Sequence, residues 1–327
     1  MRAILTIILL FFITKLYSQC CGAGSANPIA SDLSQSVLQY QQFEINSNFQ
    51  YVYSSRFLNY TKPDTLFLSN YQSNYLYSRF SYGLTKVLTF SVEFGYWLKK
   101  SQRGKNNTDG HSSSGISDII LFPKLNIYNK NNLEITSGFG LKIPVGSHHD
   151  STRYYEPFSG EYFYLIKPPV MQNSNGSNDF IFNLLMVKKL KKSNWRLLSS
   201  MMYLHKGWNP SGEKFGDLFT FSIFGGKTFN YKLTVLTYLK YEWVDKMSYN
   251  KDIFSVAFPN YDPDATGSHK VFIIPQVNYA FKEIFSFYLS SEIPVYQYVN
   301  KTQIASQFMF NAGISYRFKL KKSDIKE

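Results

Sequence analysis

The chain has only two cysteines in 327 residues, and they are neighbours, Cys20 and Cys21. No third cysteine exists to staple the rest of the fold, and two adjacent thiols lack the spacing of metal ligands. No internal stretch approaches the roughly 18 consecutive apolar residues of a membrane-spanning helix. No His-Glu-x-x-His motif is present, so the usual helical zinc-peptidase signature is missing. Acids are scarce: 22 face 35 bases, for a formal net charge of +13. Aromatics are abundant: 29 Phe, 26 Tyr and 4 Trp make up 18% of the chain, although the hydrophobic fraction is an ordinary 44%. Tyr and Trp favour boundaries where one end of the ring system is dry and the other wet.

Residues 1–18 carry Arg2, an apolar run from Ala3 to Ile13, and a small residue at Ser18. This is the layout of a secretory signal peptide and is too short for a resident span. Cleavage after Ser18 is expected to leave Gln19 first; it removes Arg2 and Lys15, taking the net charge from +13 to +11. A lipid anchor on Cys20 conflicts with the large Gln19 before it. Free thiols, a vicinal disulfide and a bond to another chain stay open. Residues 19–42 are small and polar, with Pro28 and no strand alternation, and read as a periplasmic lead or a lumen plug.

From residue 43 onward the pattern has a period of two. In the final segment Phe308, Phe310, Ile314, Tyr316 and Phe318 share one face. Met309, Asn311, Gly313, Ser315 and Arg317 share the other. The alternation recurs in segments of about 10–15 residues, whereas soluble strands usually stop near 5–6 and a tilted bilayer-crossing strand needs about 9–11. Residues 179–189 are apolar on both faces, and their register is open. Connections after even strands are tight ("GLTK", "NKNN", "KKSN", "FNY", "FKE"). Those after odd strands cover 54–71, 99–115, 146–178, 206–214, 245–269 and 298–301, and most are longer. Outer-membrane barrels sort their loops in this way. The expected fold is therefore all-β: a twelve-stranded antiparallel transmembrane up-and-down β-barrel over 43–318, with a basic periplasmic tail at 319–327. The expected location is the outer membrane of a diderm, Gram-negative bacterium.

The polar face then lines a lumen. The charges assigned inward are Glu44, Glu93, Asp118, Glu134, Glu242 and Glu292 against Arg79, Lys124, Lys142, Arg196, Lys232, Lys240 and Arg317, nearly in balance. Inward glycines at 95, 138, 140 and 313 are expected to leave open space. Lumen aromatics Tyr75, Tyr77, Tyr238 and Tyr288 would suit an aromatic solute. A salt-bridged filling that closes the tube is the competing expectation, because twelve strands enclose less room than the 16–18 of a porin.

Two segments resemble a known family. "GISDIILFPKLNIY" with "LEITSGFGLKIPVGSHH", and "SEIPVYQYVNKTQIASQFMFNAGISYRF", are similar to strands of outer-membrane transporters of the phenol meta-pathway type. The resemblance implies a channel for small, aromatic or hydrophobic molecules and carries no catalytic residues. Lys301 stands where the family's last loop would have glycine.

The leading functional expectation is passive passage of small solutes, without cofactor, metal or catalytic residues. The alternative is a closed barrel acting as a structural or surface-binding protein through its extracellular loops. An enzyme ranks third. His148, His149, Asp150 and Glu156 share the longest loop, but adjacent histidines on an extended segment are expected to point apart. His205 lies near Ser199 and Ser200 with nothing to single out a nucleophile. Expected partners are outer-membrane lipids including lipopolysaccharide, met by Lys99, Lys100, Arg103 and Lys105, together with a small-molecule solute and the barrel-assembly machinery. Nucleic acid is excluded for an exported chain.

Overall fold

The computed structural model describes residues 36–65, 68–104, 110–190, 194–230, 232–252, 262–281 and 284–319. The expected signal peptide, both cysteines, most of the 19–42 lead and all of the basic tail except Lys319 lie outside them. Twelve long strands form the wall: β1 (Gln42–Ser54), β2 (Leu68–Gly83), β3 (Leu88–Gly104), β4 (His111–Lys130), β5 (Leu133–Ile143), β6 (Asp179–Leu190), β7 (Trp195–His205), β8 (Leu218–Phe229), β9 (Leu233–Val244), β10 (Ser268–Phe281), β11 (Phe285–Ile304) and β12 (Phe308–Lys319). Each pairs antiparallel with its neighbours in sequence. The sheet closes where β1 pairs with β12, from Gln42↔Lys319 to Tyr53↔Phe308. Closure removes both sheet edges.

The period of two explains the wall. In β1, Glu44, Asn46, Asn48 and Gln50 are buried and alternate with outward residues from Phe43 to Tyr53. Outward side chains are apolar around the whole circumference, including Phe80, Phe94, Phe139, Phe182, Ile223 and Leu239, and all are exposed. An apolar belt this continuous suits hydrocarbon, while the polar groups lie inside. On β12, Phe308, Ile314 and Tyr316 are exposed, and Phe310 and Phe318 are half-buried on the same outward face.

The short turns share one end, called inner here. Asn131 and Asn132 both have positive φ (53° and 61°), the signature of a two-residue type I′ hairpin joining β4 to β5. The opposite, outer end carries the long connections. Several of these are shorter than the sequence suggests because the strands run on past the apolar belt. Most of 99–115 belongs to β3 and β4, and 298–301 lies within β11, whose outer part pairs with a short strand at Phe57–Tyr60. Lys301 holds a φ of 54°, so it takes the left-handed conformation that the expected glycine would take without strain.

Candidate functional site

The interior mixes charged networks with apolar clusters. On β11, β12, β1, β2 and β3 polar side chains predominate. Glu44 accepts from Arg79 Nη2 at 3.3 Å and from Arg317 Nε. Tyr77 OH donates to Glu93 Oε2 at 2.5 Å. Across the lumen Lys240 Nζ lies 2.5 Å from Glu292 Oε2 and 3.6 Å from Glu242 Oε2. These groups are buried, so pairing is what offsets their loss of hydration. Of the thirteen charges assigned to the lumen, Lys124, Asp118 and Lys142 are buried too, and Glu134, Arg196 and Lys232 line the inner end with Arg317. Among the described residues the structure adds two inward acids, Asp179 and Asp245, and four bases, Lys100, Lys189, Lys206 and Lys270. The near balance read from the sequence is therefore corrected to a basic excess.

Between these charges the arc from β4 to β10 also carries two apolar clusters on its inner face. Ile120, Phe122, Ile181, Met202 and Leu218 form one buried cluster. Leu185, Val187, Leu198, Phe224, Leu236, Tyr238, Phe272 and Ile274 form another. This settles the open register of β6: Ile181, Leu185 and Val187 face the lumen, and Phe180, Phe182 and Met186 face out.

The inward glycines do not leave open space. Rings from adjacent strands lie over them. A Cβ on Gly95 would sit 1.7 Å from the Tyr75 hydroxyl, and one on Gly313 would sit 2.1 Å from Tyr288 Cε1. Phe122 covers both Gly138 and Gly140. The glycines let aromatic rings lie flat along the wall, a packing device that period-two reading does not reveal.

The longest connection turns into the outer mouth. After an external hairpin, Ser151–Glu156 with Glu161–Ile166, the chain makes a single 3-10 turn at Pro169–Met171. Met171 is fully buried against Val52, Tyr71 and Met309 of the inner wall. The following residues are held on the opposite side. Trp97 Nε1 donates to Asn173 O at 3.0 Å, and Lys100 Nζ donates to Gln172 O at 2.6 Å. Asn173 Nδ2 donates to Ser114 O at 2.9 Å. Lys142 bridges Asp118 and Asp179 and also donates to Asn175 Oδ1 at 2.7 Å. Lys206 joins this group 3.2 Å from Asp179. Burial holds the Lys206 ammonium below the ordinary lysine value, with Asp179 opposing. Segment 168–178 thus crosses the mouth as a strap. Lys100 faces the lumen beneath it, which corrects its placement against surface lipid; Lys99 and Arg103 are exposed outside, and Lys105 lies outside the described residues.

Inside the wall the described residues enclose an outer and an inner cavity. The outer one, about 280 Å³, is bounded by the strap, Tyr75, Trp97, Ile120, Ile181, Met202 and Lys270. The inner one, about 360 Å³, is bounded by Glu134, Lys189, Arg196, Lys232, Tyr288 and Arg317. Ser36 also borders it, and Leu38 N donates to the inward Thr89 Oγ1 at 2.7 Å. The described end of the N-terminal lead therefore enters the inner mouth. Between the cavities lie fully buried side chains, among them Arg79, Phe122 and Phe272.

The loop histidines gather no common site. The rings of His148 and His149 have centroids 3.8 Å apart, which corrects the expectation that they diverge. His111 Nδ1 lies 3.0 Å from Thr152 Oγ1, and His269 Nδ1 lies 2.8 Å from Tyr241 OH. His205 Nδ1 lies 2.9 Å from Asp217 Oδ2. Among the described residues no group of three or more His, Cys, Asp or Glu could hold a metal ion.

No protein-family model matches this chain, and no curated protein matches it in sequence. Solved structures do. An outer membrane channel from Pseudomonas putida F1 superposes with a TM-score of 0.67 at 14% identity, covering 88% of this chain and 99% of that one. The β domain of a Bordetella autotransporter superposes with a TM-score of 0.50 at 10% identity, covering 85% and 100% respectively. At these identities the likeness concerns the fold, a closed twelve-stranded antiparallel barrel of the outer-membrane kind.

Proposed function

We propose that this chain is an outer-membrane channel for passive passage of small solutes, apolar or aromatic in character. One observation carries the reading: two cavities stand at opposite ends of a single lumen, and each has both polar and apolar lining. A barrel filled only for stability needs neither. The side chains between the cavities make the described state a narrow one. Passage therefore requires the strap at 168–178 and the central side chains to shift. Rings flat against glycine are suited to such a path, because they can swing from the wall without breaking a backbone pair. The channel description of a protein with the same fold supports this reading, as does the resemblance to transporters of the phenol meta-pathway type.

The route to the membrane belongs to the same proposal. Residues 1–18 are removed as a signal peptide, the mature chain begins at Gln19 without an acyl chain, and the barrel-assembly machinery inserts it. Lys99 and Arg103, on the outward face above the apolar belt, then meet lipopolysaccharide phosphates.

The test is conductance of the purified protein in planar bilayers, with folding confirmed by heat-dependent gel mobility. Small, discrete steps that grow when the strap's anchor Lys142 is removed are expected. A silent bilayer with folded wild-type and Lys142→Met protein would sink the channel reading, and a closed barrel working through its external loops would replace it.

A further inference from the structure

Among the described residues no carboxylate lies within ion-pair distance of the Lys100 ammonium in the outer cavity, where Asp118 is held by Lys142 instead. Lys100 is only 5% exposed. Its Nζ donates to the Gln172 carbonyl at 2.6 Å and stands 4.0 Å from the centre of the Trp97 ring. Both partners are uncharged. An ammonium has three N–H donors, and the carbonyl takes one. The other cavity lysines are provided for. Lys142 lies between Asp118 and Asp179, and Lys206 rests on Asp179. Lys270 donates to Ser306 Oγ at 3.1 Å, and Glu242 is the residue opposite it in the β9–β10 register.

Trp97, Tyr75, Ile120, Ile181 and Met202 line the same space; of the acids on its lining, Asp118 is held by Lys142, Glu242 by Lys240, and Asp245 is exposed. Its volume of about 280 Å³ lies at the lower edge of the roughly 300–1,000 Å³ usual for ligand pockets. A buried cation beside an apolar pocket asks for a ligand with one negative charge and a dry body. Farther in, Lys189, Arg196 and Lys232 line the inner cavity, where Glu134 is the acid among the described lining residues. An anion leaving the outer site therefore moves toward further positive charge.

We propose that the outer cavity is a binding site for a small organic monoanion, in chemical class an aromatic carboxylate. Its charge is held at Lys100 and its ring lies against Trp97 and Ile120. This deepens the channel reading, on which it rests for its purpose though not for the site's existence.

The experiment compares three probes of one shape in the purified full-length protein: benzoate, benzamide and benzylamine. Binding is followed by calorimetry at neutral pH, apart from any conductance measurement. Benzoate is expected to bind about tenfold or more tightly than either analogue, the difference a charge-assisted hydrogen bond makes. Lys100→Gln should abolish the preference, and Lys100→Arg should keep it. Lys189→Gln, in the other cavity, should leave it unchanged. Equal binding of benzoate and benzamide by the wild-type protein overturns the proposal without any variant having to fold. So does a benzoate preference that survives in folded Lys100→Gln. Benzoate preference with a silent bilayer removes the channel and leaves the site; conductance without the preference removes the site and leaves the channel.

Discussion

Replacing Gly140 by alanine tests the ring-on-glycine packing where one ring covers two glycines. The new methyl would stand 2.4 Å from Phe122 Cδ2 and 3.2 Å from Ile181 Cβ. Phe122 is fully buried and also covers Gly138, where a Cβ would meet its ring at 2.6 Å. The ring cannot slide along the wall, so it must lift into a filled lumen. Overpacking of this kind costs about 1–3 kcal/mol. Phe122→Ala alone should cost about 3–5 kcal/mol by emptying the site. With the ring gone, only the 3.2 Å contact with Ile181 Cβ remains, so Gly140→Ala should then cost much less. The two changes should therefore couple by roughly 1–3 kcal/mol, within the range seen for touching residues. Gly225→Ala is the control, because its Cβ would meet nothing nearer than Leu197 Cδ2 at 3.7 Å. The assay is reversible urea unfolding from lipid vesicles, read by tryptophan fluorescence and gel mobility. An equal cost for Gly140→Ala with and without Phe122 would show that the ring is not what the glycine accommodates.

Phe310→Arg puts a charge into lipid and should cost about 2–4 kcal/mol near the midplane. Asn311→Arg should cost less even though it gives up the bond from Gln50 Nε2 at 3.2 Å, and equal costs in the same titration would refute the assigned faces. Lys142→Met leaves Asp118 and Asp179 facing each other without their shared cation and should cost about 3–5 kcal/mol. It should also loosen the strap, so that limited proteolysis cuts within 168–178 where the wild-type chain resists. Burial raises the Glu213 carboxyl to about 7, with Asn209 opposing. The folded loop thus holds this proton more tightly than an unfolded one. Its contribution is complete below the ordinary carboxylate range and is lost as pH rises through about 7. Amide exchange at 209–214 should speed up across that interval; a flat profile would contradict it.

Strand direction, closure and the outward face were legible because they depend only on a period of two and on turn chemistry. Phe310 and Asn311 point opposite ways whatever surrounds them. The lumen was less legible, for a physical reason. Phe122 and Ile181 look like lipid-facing residues by type, and only register places them inside. Lys100 looked like surface charge because it belongs to a basic run at 99–105. The bulges of β3 after Phe94 and Trp97 turn it inward instead. The strap could not be read at all. Its hold depends on Trp97, Lys100 and Lys142 meeting backbone and amide groups some 30 to 80 positions away, and no local pattern encodes such meetings. The glycines were noticed, but their meaning depends on the diagonal neighbour across the sheet.

The strand that is largely apolar on both faces, β6, has a consequence before the barrel exists. On β6, Ile181 and Leu185 face one way, and Phe180 and Phe182 face the other. In the closed barrel one set meets lipid and the other meets its own kind across the lumen. An unclosed chain in water has neither shelter, and turning the strand over only exchanges one greasy side for the other. The β12–β1 seam, with Asn46, Asn48 and Asn311 on its inner side, can hide its apolar side and still be wetted. Self-association during refolding from urea therefore starts in the middle of the sequence, where a hydrophobic-strand-binding chaperone has the most to grip.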